Sequence, residues 1–320
     1  MGTRFPFGIP QGWYAVATSD ELKLGRLVTR HYFDREIVLF RTPERVSIID
    51  AHCPHMGAHL GKTGRIEGNV LRCGFHGFRF DGSGACVATE YDSPPPERAR
   101  LSKWEVREHS GFVFTWFDPL GRPPLWEMLI PDPTGYSAAR LKFYALDTHP
   151  QETTENSVDF GHFTKLHGFI EGQIIEPLKT DGPYLTSTYL AQRPYRIPGR
   201  REPIRMPVQY AVIVSGLGYS QVEVEVGLGP VKLEMRFFVL PVPIDDEHIH
   251  LRLGAALKGN WGPLGRLIRA IAHKILVKEV NQDLAVWEHK IFRDPPRLAK
   301  GDGPIVAYRR WARQFYPPTS

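Results

Sequence analysis

Apolar positions recur in short runs through the first third of the chain. Residues 13–17, 36–40 and 46–50 each read as a β-strand, and the last two flank residues 41–45 as a hairpin loop. Residues 70–72 form a shorter run, and Asp81-Gly82-Ser83-Gly84 is a turn signal. Residues 111–117 are apolar on both faces, which predicts a buried strand. Ser93-Pro94-Pro95-Pro96 is stiff and poor in donors. It reads as a surface loop or as a lid over a neighbouring site. Residues 118–124, with three prolines, mark a boundary, so the pattern predicts domains at 1–120 and 121–320.

The second part mixes both periods. Residues 141–146 read as a strand, residues 152–165 as a helical patch, and residues 205–257 as antiparallel sheet with one wet face. Residues 264–289 return to helix. Leu264, Leu267, Ile268, Ile271 and Ile275 form an apolar stripe there, while Arg266, Arg269, His273 and Lys274 lie off it. Such a stripe packs on its own sheet; a basic amphipathic helix also suits a membrane surface. The expectation is an α+β chain, β-rich at its start, with an antiparallel sheet and a long helix in the larger domain.

Composition supports this. Gly 30 and Pro 28 favour loops over a helical bundle, and 42% hydrophobic with 23% charged residues is globular. The net charge of +5 is dispersed, with no Lys/Arg run of the kind that binds nucleic acid. It is either a mildly basic solvated surface or a docking face for an acidic electron-transfer partner. No run of about 18 apolar residues predicts a membrane-spanning helix. Three cysteines give no disulfide framework, and the expected location is cytoplasmic.

Residues 51–86 carry the strongest chemistry. Cys53-x-His55 is followed, after seventeen residues, by Cys73-x-x-His76. Zinc accepts two Cys and two His in one tetrahedral site. A Rieske [2Fe-2S] cluster places two Cys on one iron and two His on the other. Zinc modules usually pair Cys with Cys and His with His. Here each hook carries one of each, which favours two irons, and Gly57, Gly61, Gly74 and Gly77 let backbone crowd the sulfurs. His52 and His59 flank the hooks but break the spacing.

Residues 155–167 are the second informative stretch. On a continuous helix Glu155, Asp159 and His162 fall at i, i+4 and i+7 and share a face. His167 follows His162 by five residues, as a helix loosens into a turn before Gly168. Two His and one carboxylate form the facial set of a non-haem Fe(II) centre. The best carboxylate is Asp283, among Val280, Leu284 and Trp287, since a carboxylate there wants a cation. Glu279 and Glu288 are rivals whose neighbours look more exposed.

These two stretches resemble the Rieske non-haem iron oxygenases: the signature C-x-H-x₁₇-C-x-x-H, and the motif N-x-x-D-x-x-H-x₄-H at Asn156, Asp159, His162 and His167. Asp50 to Ala58, with Gly64-Arg65-Ile66-Glu67-Gly68, is similar to the ketosteroid hydroxylase and sterol desaturase group, and the short chain is similar to O-demethylases. The resemblance implies a Rieske domain, then a helix-grip catalytic domain with an antiparallel sheet. It implies a [2Fe-2S] cluster on Cys53, His55, Cys73 and His76, and Fe(II) on His162, His167 and Asp283. Asp159 would bridge a cluster His of one subunit to an iron-ligand His of the next, with Asn156 near the iron. It implies a homotrimer that takes electrons from a ferredoxin or flavin reductase. With O₂ it would hydroxylate, dealkylate or desaturate an unactivated C–H of a hydrophobic substrate, steroid-like or aromatic. No G-x-G-x-x-G follows a strand, so NAD(P)H would be oxidised by a separate reductase. A Rieske electron carrier without catalysis, or a zinc protein, would explain the hooks but leave His162, His167 and Asp283 idle.

Overall fold

The computed structural model describes residues 4–196, 199, 201–228, 231–259 and 261–317. The chain divides into two compact units, residues 14–124 and residues 1–13 with 125–320. The first thirteen residues, expected with the first domain, therefore belong to the second unit. Their ties explain it: Gln11 N donates to Phe315 O at 2.8 Å and Phe5 stacks on His149 at 3.9 Å.

The smaller unit is almost wholly β. Its strands are β1 (Gly12–Thr18, which reaches back into the other unit), β2 (Leu27–Tyr32), β3 (Arg35–Arg41), β4 (Val46–Asp50), β5 (Arg65–Glu67), β6 (Val70–Arg72), β7 (Arg79–Phe80), β8 (Cys86–Ala88), β9 (Val106–His109) and β10 (Phe112–Phe117). They form three small sheets, ordered β1-β10-β9, β2-β3-β4 and β5-β6-β7-β8. One core joins Val38, Phe40 and Ile49 of the second sheet to Leu71 and Phe80 of the third. Cys53, Cys73 and the short helix α1 (Leu60–Thr63) are rooted in it. The 93–96 prolines are largely exposed. The residues before them lie on the second hook: Tyr91 meets Phe78 edge-on, and Glu90 fills the space a Cβ on Gly77 would need.

The larger unit is built on one seven-stranded antiparallel sheet, ordered β11-β17-β16-β15-β14-β13-β12. Its strands are β11 (Arg140–Leu146), β12 (Ile170–Asp181), β13 (Tyr184–Tyr195), β14 (Ile204–Ser215), β15 (Tyr219–Leu228), β16 (Val231–Pro243) and β17 (Ile249–Leu257). Register aligns apolar rows across strands, Tyr210–Val224–Met235 and Val212–Val222–Phe237 among them, so one face of the central sheet is apolar. The edge strand β12 is mostly exposed and broken by register shifts, as edge strands that avoid pairing often are.

The helices depart from expectation twice. The patch at 152–165 is two helices, α2 (Pro150–Glu155) and α3 (Phe160–Lys165). The Asn-Ser-Val-Asp stretch between them is poor in helix formers, and Asp159 caps α3 by accepting from His162 N at 3.3 Å. Glu155 therefore shares no helix face with His162. It is held instead by Arg309 of α5 (Ile305–Ala312), with contacts of 2.7 and 3.1 Å.

The second departure is α4 (Gly262–Trp287), which packs on β17 and β11. Its buried residues are Ala272, His273, Leu276, Val280, Asp283 and Trp287. Leu264, Leu267 and Ile271 are 55%, 56% and 51% exposed. Most of the stripe expected to pack on the sheet thus faces away from it, with only Ile268 packed against the core, because the helix turns toward the sheet the face that carries Asp283.

Candidate functional site

The two hooks have the same local shape. Gly57 N donates to Cys53 O and Cys53 N to Ala58 O; Gly77 N donates to Cys73 O and Cys73 N to Phe78 O. Each hook turns at a glycine with positive φ, Gly57 at 76° and Gly77 at 71°, a conformation that costs glycine nothing. Both cysteines are buried and both histidines half-buried. The His55 and His76 rings lie 4.8 Å apart, and His55 stacks on Phe78 at 4.3 Å. Burial pushes the Cys53 thiol up to about 11, and the neighbouring Cys73 adds to the rise against backbone donors at His55 and Met56. A buried thiol that resists ionisation alone, with a second cysteine beside it, is suited to a cation, since thiolates are the ligating form. The buried Cys pair and outward His pair fit an asymmetric two-iron cluster. Cys86 packs against the same core and takes no part in the hooks.

His52, His59 and Glu36 form another group of possible ligands. His59 Nδ1 caps α1 by accepting from Gly61 N, so Nε2 carries the ring proton and faces Glu36 at 3.4 Å. That tautomer has no lone pair to offer a metal.

In the larger unit His162 and His167 bracket the end of α3, and Asp283 descends from α4. Their donor atoms lie within 4.8 Å of one another. His167 Nε2 is 3.5 Å from Asp283 Oδ1, and the two imidazole rings are 5.0 Å apart. Burial pushes Asp283 up to about 6, against the pull of His167 and His162. A dry carboxylate facing two imidazoles fits a divalent cation with open positions. Asp159 Oδ2 sits 3.5 Å from His162 Nδ1, so this one side chain both caps α3 and touches the ring. Asn156 accepts from Trp287 Nε1 at 3.3 Å and lines the adjoining cavity.

The sequence reading missed Glu279, set aside there as exposed. Its side chain is 15% exposed, 3.1 Å from His167 Nδ1 and 2.6 Å from Arg193. Gln282 also accepts from His167 Nδ1, at 2.9 Å. Burial disfavours charge on His167, yet these partners and Asp283 outweigh it and raise its pKa. The signal was present: Glu279 and Asp283 are i and i+4 on one helix.

The cavity beside Asp283 opens to solvent and has a volume of about 190 Å³. Its walls are the apolar rows of β14, β15 and β16, with Ala272, Ile275, Leu276 and Val280 of α4. Ser220 lines it with a buried hydroxyl that has no hydrogen-bond partner among the described residues.

A Rieske-type hook pair in one unit and a buried His₂-carboxylate group under an apolar cavity in the other define a Rieske oxygenase. Residues 12–105 match the Rieske [2Fe-2S] domain, and residues 115–316 match the 3-ketosteroid 9alpha-hydroxylase C-terminal domain. The chain belongs to that family. It is 30% identical to a cholesterol 7-desaturase of Ciona intestinalis, over all of this chain and 71% of the relative. It is 27% identical to the oxygenase component of a 3-ketosteroid-9-alpha-monooxygenase of Rhodococcus rhodochrous, over 97% of this chain and 85% of the relative. Dicamba monooxygenase shares the fold, with a TM-score of 0.75 at 18% identity over 97% and 98% of the two chains. So does NdmA of Pseudomonas putida CBB5, at 0.70 and 20% over 94% and 89%. The chain is thus an oxidoreductase, the terminal oxygenase component of a Rieske system. The carrier and zinc alternatives fall away.

Proposed function

We propose that this oxygenase oxidises an unactivated C–H of a polycyclic, steroid-like substrate, using O₂ and electrons from a separate ferredoxin or flavin reductase. The observation that carries the reading is the cavity. It runs beside α4 from Ala272 to Trp287, a rise of about 22 Å, with walls that are mostly apolar, aliphatic and aromatic together. That length and polarity suit a flat, rigid hydrocarbon.

His162, His167 and Asp283 would hold Fe(II), which supplies O₂ activation when bound. Cys53, His55, Cys73 and His76 would hold the cluster. Glu279 and Gln282 fix the tautomer of His167 by accepting a hydrogen bond from Nδ1–H, leaving Nε2 to ligate. Asp159 lies at the Nδ1 side of His162 and would also accept from a histidine of a neighbouring subunit. In this reading the enzyme is a cytoplasmic homotrimer in which the electron crosses between subunits there. Asn156, bonded to Trp287, borders the space beside the metal. Ser220 supplies a hydrogen bond for one oxygen of the substrate, because its buried hydroxyl gains a partner only on binding.

The test is iron content followed by turnover. Purified protein should carry about three irons per chain, two in the cluster and one mononuclear. With a surrogate reductase it should convert members of a sterol and 3-ketosteroid panel to products identified by mass. Two irons per chain and no product across the panel would reject the reading.

A further inference from the structure

We infer that the amino-terminal half of α4 is a docking face for an anionic lipid bilayer. Leu264, Leu267, Ile271 and Ile275 lie on one side of this helix and are 55%, 56%, 51% and 38% exposed. They span about 16 Å along its axis. Lys274 and Lys278 are exposed beside them. No Asp or Glu occurs between Glu247 and Glu279. The nearby sheet acids Glu225 and Glu234 are paired with Lys232 and Lys258. Aliphatic side chains flanked by unopposed cations are the features of a helix lying in a headgroup layer, where apolar area and anionic lipid both contribute.

A second copy of the chain fits this face less well. In a two-fold contact the same cations would meet their own kind around the aliphatic centre. An acidic redox partner has to reach the hooks, which belong to the other unit.

The face is also continuous with the cavity. Ala272 and Leu276 line the cavity, Leu267 and Ile271 point to solvent, and Ile275 does both. An apolar molecule held in the bilayer would therefore meet the cavity wall without crossing water. The docking itself goes beyond the oxygenase reading and holds whatever the substrate.

Sedimentation of the intact protein with vesicles tests this. Wild type should pellet with vesicles of phosphatidylcholine containing a minority of phosphatidylserine, and far less with phosphatidylcholine alone. Leu264→Glu/Leu267→Glu/Ile271→Glu should weaken binding by tenfold or more, roughly, since three apolar anchors become anions. Lys274→Glu/Lys278→Glu should remove the preference for phosphatidylserine, and high salt should do the same to wild type. Far-UV circular dichroism and a melting midpoint like those of wild type show that both variants are folded. Wild type left in the supernatant, or variants that bind like wild type, would overturn the inference. So would a fall in oligomer mass in the triple variant, which would make this face a subunit contact.

Discussion

Asp283 is 5% exposed, and burial holds its carboxyl at about 6. An acid whose pKa rises on folding contributes stability below its unfolded value. That contribution is lost as pH climbs through the folded value. Metal-free protein should therefore lose stability between about pH 4 and 6, and Fe(II) should restore it. Asp283→Asn should make metal-free protein more stable near neutral pH by on the order of 2–3 kcal/mol, while abolishing mononuclear iron and product. Denaturant melts at two pH values, with and without Fe(II), check both halves. A variant that binds iron normally would move the carboxylate ligand elsewhere. Asp159→Asn should keep both metals, because the amide is nearly isosteric. It cannot accept from two imidazoles at once, so a pre-reduced cluster should stay reduced in the presence of substrate and O₂. Cluster oxidation at the wild-type rate would exclude the bridge.

At the scale of elements, the joint between α2 and α3 decides where the histidines fall. Glu152 and Glu155, in the first turn and at the end of α2, are buried and compensated by Lys290 and Arg309. Arg309→Ala should cost about 3 kcal/mol, since it leaves buried carboxylates short of a cation. It should also reduce mononuclear iron while sparing the cluster spectrum. Melting and iron analysis on one preparation check this. The hooks were legible because their chemistry is local: four ligands within two dozen residues, each hook closed by its own glycine. Strands β3, β4 and β10 were legible for the same reason, as unbroken apolar runs between turn residues. The joint was not, because Glu155, Asp159 and His162 satisfy a helical period that the cap at Asp159 overrides. The orientation of α4 was not legible either. Its stronger aliphatic stripe faces away from the sheet, and the face that packs carries a carboxylate and a histidine. Strands β12 and β13 escaped notice because the edge strand is bulged and wet, which erases alternation.

The whole molecule carries +5. Turnover at limiting acidic ferredoxin should therefore fall as salt rises, since steering between exposed charges is screened beyond about 10 Å at 0.1 M. Salt-independent turnover would assign recruitment to apolar contacts. The proposed trimer would make a sharper demand. A subunit lacking the cluster through His55→Ala and one lacking iron through His162→Ala should each be inactive. Reassembled together, they should recover activity only if the electron passes from one chain to another. No recovery on mixing would confine transfer to a single chain.

The paired hooks have a consequence for how the protein is built in time. Each is closed by backbone hydrogen bonds that use no ligating side chain: Gly57 to Cys53, Gly77 to Cys73, and the return pairs to Ala58 and Phe78. Their stems grow from a core that is hydrophobic rather than metallic. This differs from a zinc finger, in which the ion supplies the folding energy. Maturation should accordingly be late: a folded unit receives iron and sulfide into a receptacle already shaped. Metal-stripped protein should keep the amides of Cys53, Gly57, Cys73 and Gly77 protected from hydrogen exchange. It should also regain its colour on chemical reconstitution without passing through an unfolded state.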